Sequence, residues 1–443
     1  MRIDHLTIKN FKGFVANEFS LHPQFNLVVG VNGTGKTSLL DALSIAAGSW
    51  FLGLRGYDTR HIRPQEVSLT CFNLEIRGSD PSHQSTLICE PQYPCVVEAT
   101  GEVLGERLSW VRTLNTPGGR TTYVDARNIK ELAARADQTV RKGSDVLLPV
   151  ISYYGTGRLW DTPREQAQVK NEKELTRKEK LSRLNGYNNS VDPRLSVSEL
   201  VRWIARQSWI TYQQGGLSSA VYDVVRQAII RCLEGARAIF FDANLGEVIV
   251  EMKSQRTQPF NNLSDGQRCM LAMVGDIALK AATLNPHLGP KVLQETPGVV
   301  LIDELDLHLH PKWQRHVIEE LRTTFPKIQF VATTHSPFLI QSLRSGEELV
   351  VLDGQPTAQL GDKPIDEIVQ GIMGVPNPRF SERYEEMKGV ARHYLETLEE
   401  AQLAAEDKLA AYKSRLADSI APYADNPAFQ AFLEMKRAAK LGE

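Results

Sequence analysis

Eight residues, Gly30-Val31-Asn32-Gly33-Thr34-Gly35-Lys36-Thr37, satisfy the pattern G-x-x-x-x-G-K-[ST]. A phosphate chain is held by backbone N–H groups turned inward, which glycine permits by adopting φ values closed to other residues. A helix starting at the end of the loop adds the positive end of its dipole. In such a loop Asn32, Gly33, Thr34 and Gly35 cradle the phosphates and Lys36 reaches the outer two, while the Thr37 hydroxyl ligates Mg²⁺ and Ser38 follows it into the helix. The apolar run FNLVVG precedes the motif and the helical TSLLDALSIAAG follows it. A plain glycine turn would require neither.

Two further segments carry groups that could complete this chemistry. Val299-Val300-Leu301-Ile302-Asp303-Glu304 is an apolar run ending in two carboxylates. On a strand the side-chain period of two sends Asp303 and Glu304 to opposite sides, so one can serve the Mg²⁺ shell while its neighbour faces a reacting water. Leu263-Ser264-Asp265-Gly266-Gln267-Arg268 opens a helix with a hydroxyl and a glycine backbone. That is a second anion site, which one chain does not need for one nucleotide; in isolation it would read as a simple helix N-cap. His308 and His310, in DLHLHP, bring two imidazoles together, but nearby ligands for a metal are lacking.

In chain order, GVNGTGKT, LSDGQR, LIDELDLHLHP and TTHSP resemble the Walker A, signature, Walker B with D-loop, and switch-histidine motifs of ABC ATPases of the SMC and RecF group. The opening IKNFKGF is similar as well, and by that resemblance Lys12 stands near the phosphates. The resemblance implies ATP and Mg²⁺ as cofactors, with Thr37 and Asp303 as metal ligands. It implies a head-to-tail homodimer, or a higher oligomer, in which Ser264 and Gly266 of one chain, with Gln267 beside them, complete the γ-phosphate site held by Lys36 of the other. Glu304 becomes the base that orients water, His335 the γ-phosphate sensor, and Asp306 part of the D-loop.

Two departures limit the likeness. The stretch between the Walker A helix and the signature carries no sustained heptads, so the long coiled coil of SMC proteins is absent. No Q-loop glutamine is evident; Tyr153-Tyr154-Gly155-Thr156-Gly157-Arg158 occupies the equivalent place. Within the group the chain is most similar to the short PtuA-type ATPases of two-gene Septu phage-defence systems, on YYGTGR, LHLHP and a helical C-terminal tail. That resemblance implies an HNH-type nuclease partner.

The elements that must position these residues predict an α/β fold, an ABC-type ATPase head with a mostly parallel sheet, flanking helices and an antiparallel β arm. Four segments are expected: an N-terminal nucleotide-binding lobe over 1–157, a mainly helical insertion over 158–260, a C-terminal ATPase lobe over 261–378, and a helical tail over 379–443 for docking or oligomerisation. The arm is read from the strand-like stretches between 67 and 125. Leu200, Trp203, Ile204, Val225 and Ile229 are the expected core of the insertion. In the tail Met387, Val390, Tyr394 and Leu398 recur at spacings of 3 and 4, with Ala401 and Ala405 continuing the stripe, the mark of an amphipathic helix seeking a surface.

Charge and composition narrow the remaining classes. With 51 basic against 53 acidic residues in 443, the net charge of −2 gives no global field that recommends nucleic acid. Residues 170–183, KNEKELTRKEKLSR, read either as a solvated helix face or as a phosphate-contacting surface. No run of about 18 apolar residues occurs, so no membrane partner is expected. Cys71, Cys89, Cys95, Cys232 and Cys269, odd in number and without a C-x-x-C pair, argue against a disulfide scaffold or a zinc hook and fit a reducing cytoplasm.

An ATP site without a nuclease motif of its own points to an ATPase whose nucleotide state controls a partner nuclease in anti-phage defence. The alternatives are a RecF-like DNA-binding repair ATPase and an assembly scaffold that binds ATP but barely hydrolyses it. Nucleic acid stays open as a partner, direct or through the nuclease.

Overall fold

A computed structural model describes residues 1–75, 85–158, 182–194, 197–233, 235–254, 256–352, 363–402, 409–423 and 425–441. Most of the charged stretch 170–183, and Ala405 of the tail stripe, lie outside the described residues. Two compact units are present, Met1–Ile368 and Val369–Glu443.

The first unit opens with β1 (Arg2–Phe11), β2 (Phe14–Ser20) and β3 (Phe25–Val29), and β3 runs into the glycine loop and helix α1 (Lys36–Gly48). Next come β4 (Leu69–Glu75), β5 (Ser85–Pro91), β6 (Cys95–Val103), β7 (Glu106–Leu114), helix α2 (Arg127–Arg141) and β8 (Val150–Tyr154). Helices α3 (Val197–Gln213) and α4 (Ala220–Cys232) follow, then β9 (Ala236–Asp242), β10 (Glu247–Met252) and β11 (Thr257–Pro259). Helix α5 (Asp265–Leu284) leads to β12 (Gly298–Ile302), α6 (Val317–Thr324), β13 (Ile328–Thr333), α7 (Pro337–Gln341) and β14 (Leu349–Val351).

The central sheet has the order β14-β3-β13-β12-β8 with every pair parallel. Its inner strands β3, β13 and β12, and β8, are buried at every position, which is why they read as continuous apolar runs rather than alternating ones. Parallel strands all finish at one edge. The segments after β3, β8, β12 and β13, which are the Walker A loop, YYGTGR, Walker B and TTHSP, therefore leave the sheet on the same side. Ligands of open parallel sheets bind along this edge.

Helix α1 packs between the central sheet and a second, antiparallel sheet of order β2-β1-β6-β7. Leu39, Leu40, Leu43, Ile45 and Ala46 of α1 are fully buried, and each large aliphatic among them contributes about 1.5–3 kcal/mol by leaving water. Polar stitches fix the layers: Trp110 Nε1 donates to the Ala46 carbonyl at 2.9 Å. The Gln329 side chain accepts from Ile3 N at 2.8 Å and donates to Ile3 O at 2.7 Å.

The expected antiparallel arm divides in two. Strands β6 and β7 join β1 and β2, because β1 offers β6 a free edge and an apolar face over α1. Only β4 and β5 pair by themselves. In that hairpin Cys71 lies directly opposite Cys89, with Cα atoms 4.0 Å apart, and the two form a disulfide. A pair joined by strand register has no spacing signature in the sequence, so cysteine counting missed it; Cys95, Cys232 and Cys269 are free and buried.

The expected insertion is helical over α3 and α4, where Leu200, Ile204, Val225 and Ile229 are buried as predicted and Trp203 is half-buried. Its last part is instead a three-stranded antiparallel sheet, β11-β10-β9. The runs AIFF and VIV that form it are short and rich in β-branched and aromatic residues, which favour strands over helix.

The second unit holds α8 (Glu382–Gln402), α9 (Leu409–Ile420) and α10 (Pro427–Leu441). Tyr394, Leu398, Leu416, Ile420 and Leu433 form its core, with Ala391 and Phe429 packed against it. The tail stripe is thus satisfied in large part by its own neighbouring helices. The unit begins at Val369 rather than at the expected boundary of 379. No helix among the described residues is long and apolar enough to cross a membrane.

Candidate nucleotide site

The loop Gly30–Gly35 turns between β3 and α1 with Gly33 at φ 89° and Gly35 at φ 103°. Gly35 caps α1, and a Cβ there would come within 2.8 Å of the Phe14 ring, so both its backbone angle and its surroundings demand glycine. Lys36 Nζ lies back over the loop and donates to the carbonyls of Gly30 and Val31 at 2.8 and 3.0 Å. Asn32 and Gly33 are exposed at the loop tip, and Thr34 Oγ1 donates to Val31 O at 3.0 Å. Ser38 is half-buried on the first turn of α1.

One hydrogen-bonded chain crosses the sheet edge from this loop. Thr37 Oγ1 donates to Asp303 Oδ2 at 2.9 Å, and Thr333 Oγ1 donates to Asp303 Oδ1 at 2.6 Å. Thr333 Oγ1 in turn accepts from Glu304 N at 2.7 Å. The parallel register makes this meeting geometric: Ile302 stands beside Ala332 on one side and Tyr154 on the other, so the next residue of each strand emerges at one level. Glu304 has φ 49°, a left-handed conformation that costs a non-glycine residue energy and persists only when its surroundings enforce it.

A buried arginine supplies part of that enforcement. Arg158, 2% exposed, donates through Nη1 to Asp303 O at 2.7 Å and Gly155 O at 3.1 Å, and through Nη2 to Glu304 O at 3.0 Å. Its Nε reaches Cys269 Sγ on α5 at 2.9 Å. Thr333 and Arg158 were not singled out by the sequence as site residues; the signal for them was their position at the ends of apolar strands, in TTHSP and YYGTGR. Tyr153, at the end of β8, is buried, and burial together with the nearby carboxylates of Asp41 and Asp303 holds its phenol in the neutral form.

The other expected site residues lie around this edge and on α5. Asp306 Oδ1 accepts from Thr334 Oγ1 at 2.6 Å and from His335 N at 3.4 Å, which leaves the His335 ring exposed at the edge. Ser264 caps α5 reciprocally with Gln267, the Ser264 Oγ accepting from Gln267 N at 3.3 Å and Gln267 Oε1 from Ser264 N at 3.1 Å. Gly266 is buried against the chain's own D-loop, where a Cβ would stand 2.3 Å from His308 O. Lys12 is ion-paired with Asp41 on α1, and Arg60 reaches the same carboxylate at 3.6 Å. His310 is a helix cap whose Nδ1 accepts from Lys312 N at 3.2 Å.

The donor set fits a small hard cation. A hydroxyl and a carboxylate lie side by side at the helix N-terminus, and Mg²⁺ commonly takes one or two protein oxygens and fills its remaining positions with phosphate and water. Among the described residues no group of three or more His, Cys, Asp or Glu side chains could hold a metal, so a cage made wholly of such protein ligands is not what this edge offers.

Known proteins resemble the chain in parts. A retron Vc95 probable ATPase of Vibrio cholerae serotype O1 biovar El Tor is 45% identical over 94 residues, 20% of this chain and 17% of that one. A retron Ec83 probable ATPase of Escherichia coli is 23% identical over 418 residues, 80% of this chain and 72% of that one. The Septu protein PtuA of Bacillus mycoides (strain KBAB4) is 38% identical over 94 residues, 21% of this chain and 12% of that one. The matched portion is thus a small fraction of the Vc95 and PtuA relatives. A family model described as "AAA ATPase domain" matches residues 1–51, and one described as "AAA domain, putative AbiEii toxin, Type IV TA system" matches residues 99–341, more than half of the chain. An ABC-type ATPase of the SMC and RecF group by its motifs, the chain belongs to the family described as "AAA domain, putative AbiEii toxin, Type IV TA system".

Proposed function

We propose that this chain binds and hydrolyses ATP between two head-to-tail copies of itself, and that its nucleotide state controls a partner nuclease of the HNH type in anti-phage defence, in the cytoplasm. The observation that carries the reading is the chain Thr37–Asp303–Thr333–Glu304, which joins a phosphate-binding loop to the Asp303 carboxylate and the main-chain N–H of Glu304 at one sheet edge. The names of the retron and Septu relatives support the defence setting.

The residues divide the work by position. The loop N–H groups and Lys36 hold the triphosphate, and Thr37 with Asp303 would hold Mg²⁺, which neutralises phosphate charge when bound. Glu304, presented by its left-handed backbone, accepts a proton from the attacking water as that water adds to the γ-phosphorus and ADP leaves. Ser264 is exposed at the N-terminus of α5, available to a second copy's nucleotide, and Gln267 orients it. His335, exposed just beyond β13, serves as the γ-phosphate sensor in this reading.

Native mass by light scattering tests the reading, with and without ATP and Mg²⁺, on wild type and Glu304→Gln co-expressed with an HNH nuclease encoded beside it. A stable complex with the nuclease and an ATP-dependent dimer support it. An ATP-dependent dimer that ignores the nuclease and binds DNA would replace it with the RecF-like repair ATPase.

A further inference from the structure

We infer that Arg158 is a positioning residue that makes hydrolysis at Glu304 depend on the signature helix of the same chain. The inference rests on the ATP-hydrolysing dimer proposed above and names how its site is regulated. Arg158 does not point toward the nucleotide loop; among the described residues its hydrogen bonds go to three main-chain carbonyls and one sulfur. Two of those carbonyls, Asp303 O and Glu304 O, belong to the turn that carries the metal ligand and the base. The sulfur, Cys269 Sγ, lies on α5, the helix whose first turn is the signature.

Three physical points give the contact its meaning. A guanidinium presents its donors in a rigid planar fork, so a shift on the Nε side is transmitted to the Nη side rather than absorbed, as a flexible ammonium would absorb it. Glu304 sits at φ 49° and is held at both ends, its N–H by Thr333 Oγ1 and its carbonyl by Arg158 Nη2. The helix α5 is itself tied to the D-loop, since Gly266 has no room for a side chain against His308 O. A partner nucleotide that draws on Ser264 therefore pulls a rigid body whose second turn contacts Arg158. The carboxylate of Glu304 reaches its working position only when α5 stands where the fork is satisfied on both sides.

The test separates positioning from simple support. Arg158→Lys keeps a buried cation but loses the fork, and Cys269→Ala removes the α5 end of the link while leaving Arg158 in place. For both, nucleotide affinity should stay within about twofold of wild type while kcat for ATP falls, by about 100-fold for Arg158→Lys, the scale of a misplaced catalytic group, and by less for Cys269→Ala. Added to Glu304→Gln, Arg158→Lys should lower kcat no further, because it acts through Glu304. Unchanged kcat in Arg158→Lys, or additive losses in the double variant, would overturn the inference. A fall in affinity and melting temperature that matches the fall in kcat would make Arg158 merely structural and overturn it too. A wild-type chain without ATP turnover overturns the reading beneath and this inference with it, whereas turnover that survives Arg158→Lys removes only the inference.

Discussion

Thr37 and Asp303 are 266 positions apart in the chain and meet at 2.9 Å across the edge of the central sheet. The contact joins the first turn of α1 to the end of β12, two places that share nothing in sequence except the direction in which their strands run.

Removing the Thr37 hydroxyl should weaken nucleotide binding only where Mg²⁺ takes part. Thr37→Ala is expected to lower Mg²⁺-dependent ATP affinity about tenfold, or about 1.4 kcal/mol, with little effect on binding in the presence of a chelator. A fluorescent-nucleotide titration with and without Mg²⁺ reads the difference, and an equal loss under both conditions would argue against a metal role.

Glu304→Gln should bind ATP as wild type does yet turn it over about 100- to 10,000-fold more slowly, the range of a lost general base. The ATP-bound dimer should then accumulate in light scattering. A variant with wild-type turnover would take the base role away from Glu304.

Gly266→Ala places a methyl 2.3 Å from His308 O. The backbone of the D-loop has to move, at a cost of about 1–3 kcal/mol, visible in a denaturant melt. Ser264→Ala removes only an exposed cap and is expected to cost about 1 kcal/mol. A melt in which Ser264→Ala proves the more damaging would show that the glycine contact is loose.

The tail offers a separate check. Leu398 is fully buried among Tyr394, Leu416, Ile420 and Leu433, so Leu398→Ala should cost this unit about 2–5 kcal/mol through lost burial and a cavity. Limited proteolysis should then cut within 369–443 while Met1–Ile368 keeps its ATP affinity. Simultaneous loss of both units would mean that they are not independent.

The local chemistry was legible in the chain alone. The glycine spacing in Gly30–Thr37, the apolar run before Asp303 and the hydroxyl before the helix at Asp265 each depend on backbone angle, side-chain period or capping, which neighbouring residues determine. The parallel sheet followed from mainly apolar runs alternating with helices, since strands buried on both faces have no solvent-facing side to alternate with.

What required the tertiary structure was every relationship set by packing between distant segments. Lys12 and Asp41 pair because β1 lies beside α1. Strands β6 and β7 join β1 because a free strand edge attracts a partner wherever it lies in the chain. Cys71 and Cys89 meet through strand register, and Tyr394 and Leu398 of the tail stripe pack against α9 and α10. Arg158 is the clearest case. A lone arginine after a glycine turn reads as a surface cation, and only the convergence of β8, β12 and α5 buries it and surrounds it with carbonyls. Sequence patterns report what a residue does to its own backbone and face; two of the three carbonyls and the sulfur that Arg158 meets lie more than a hundred positions away.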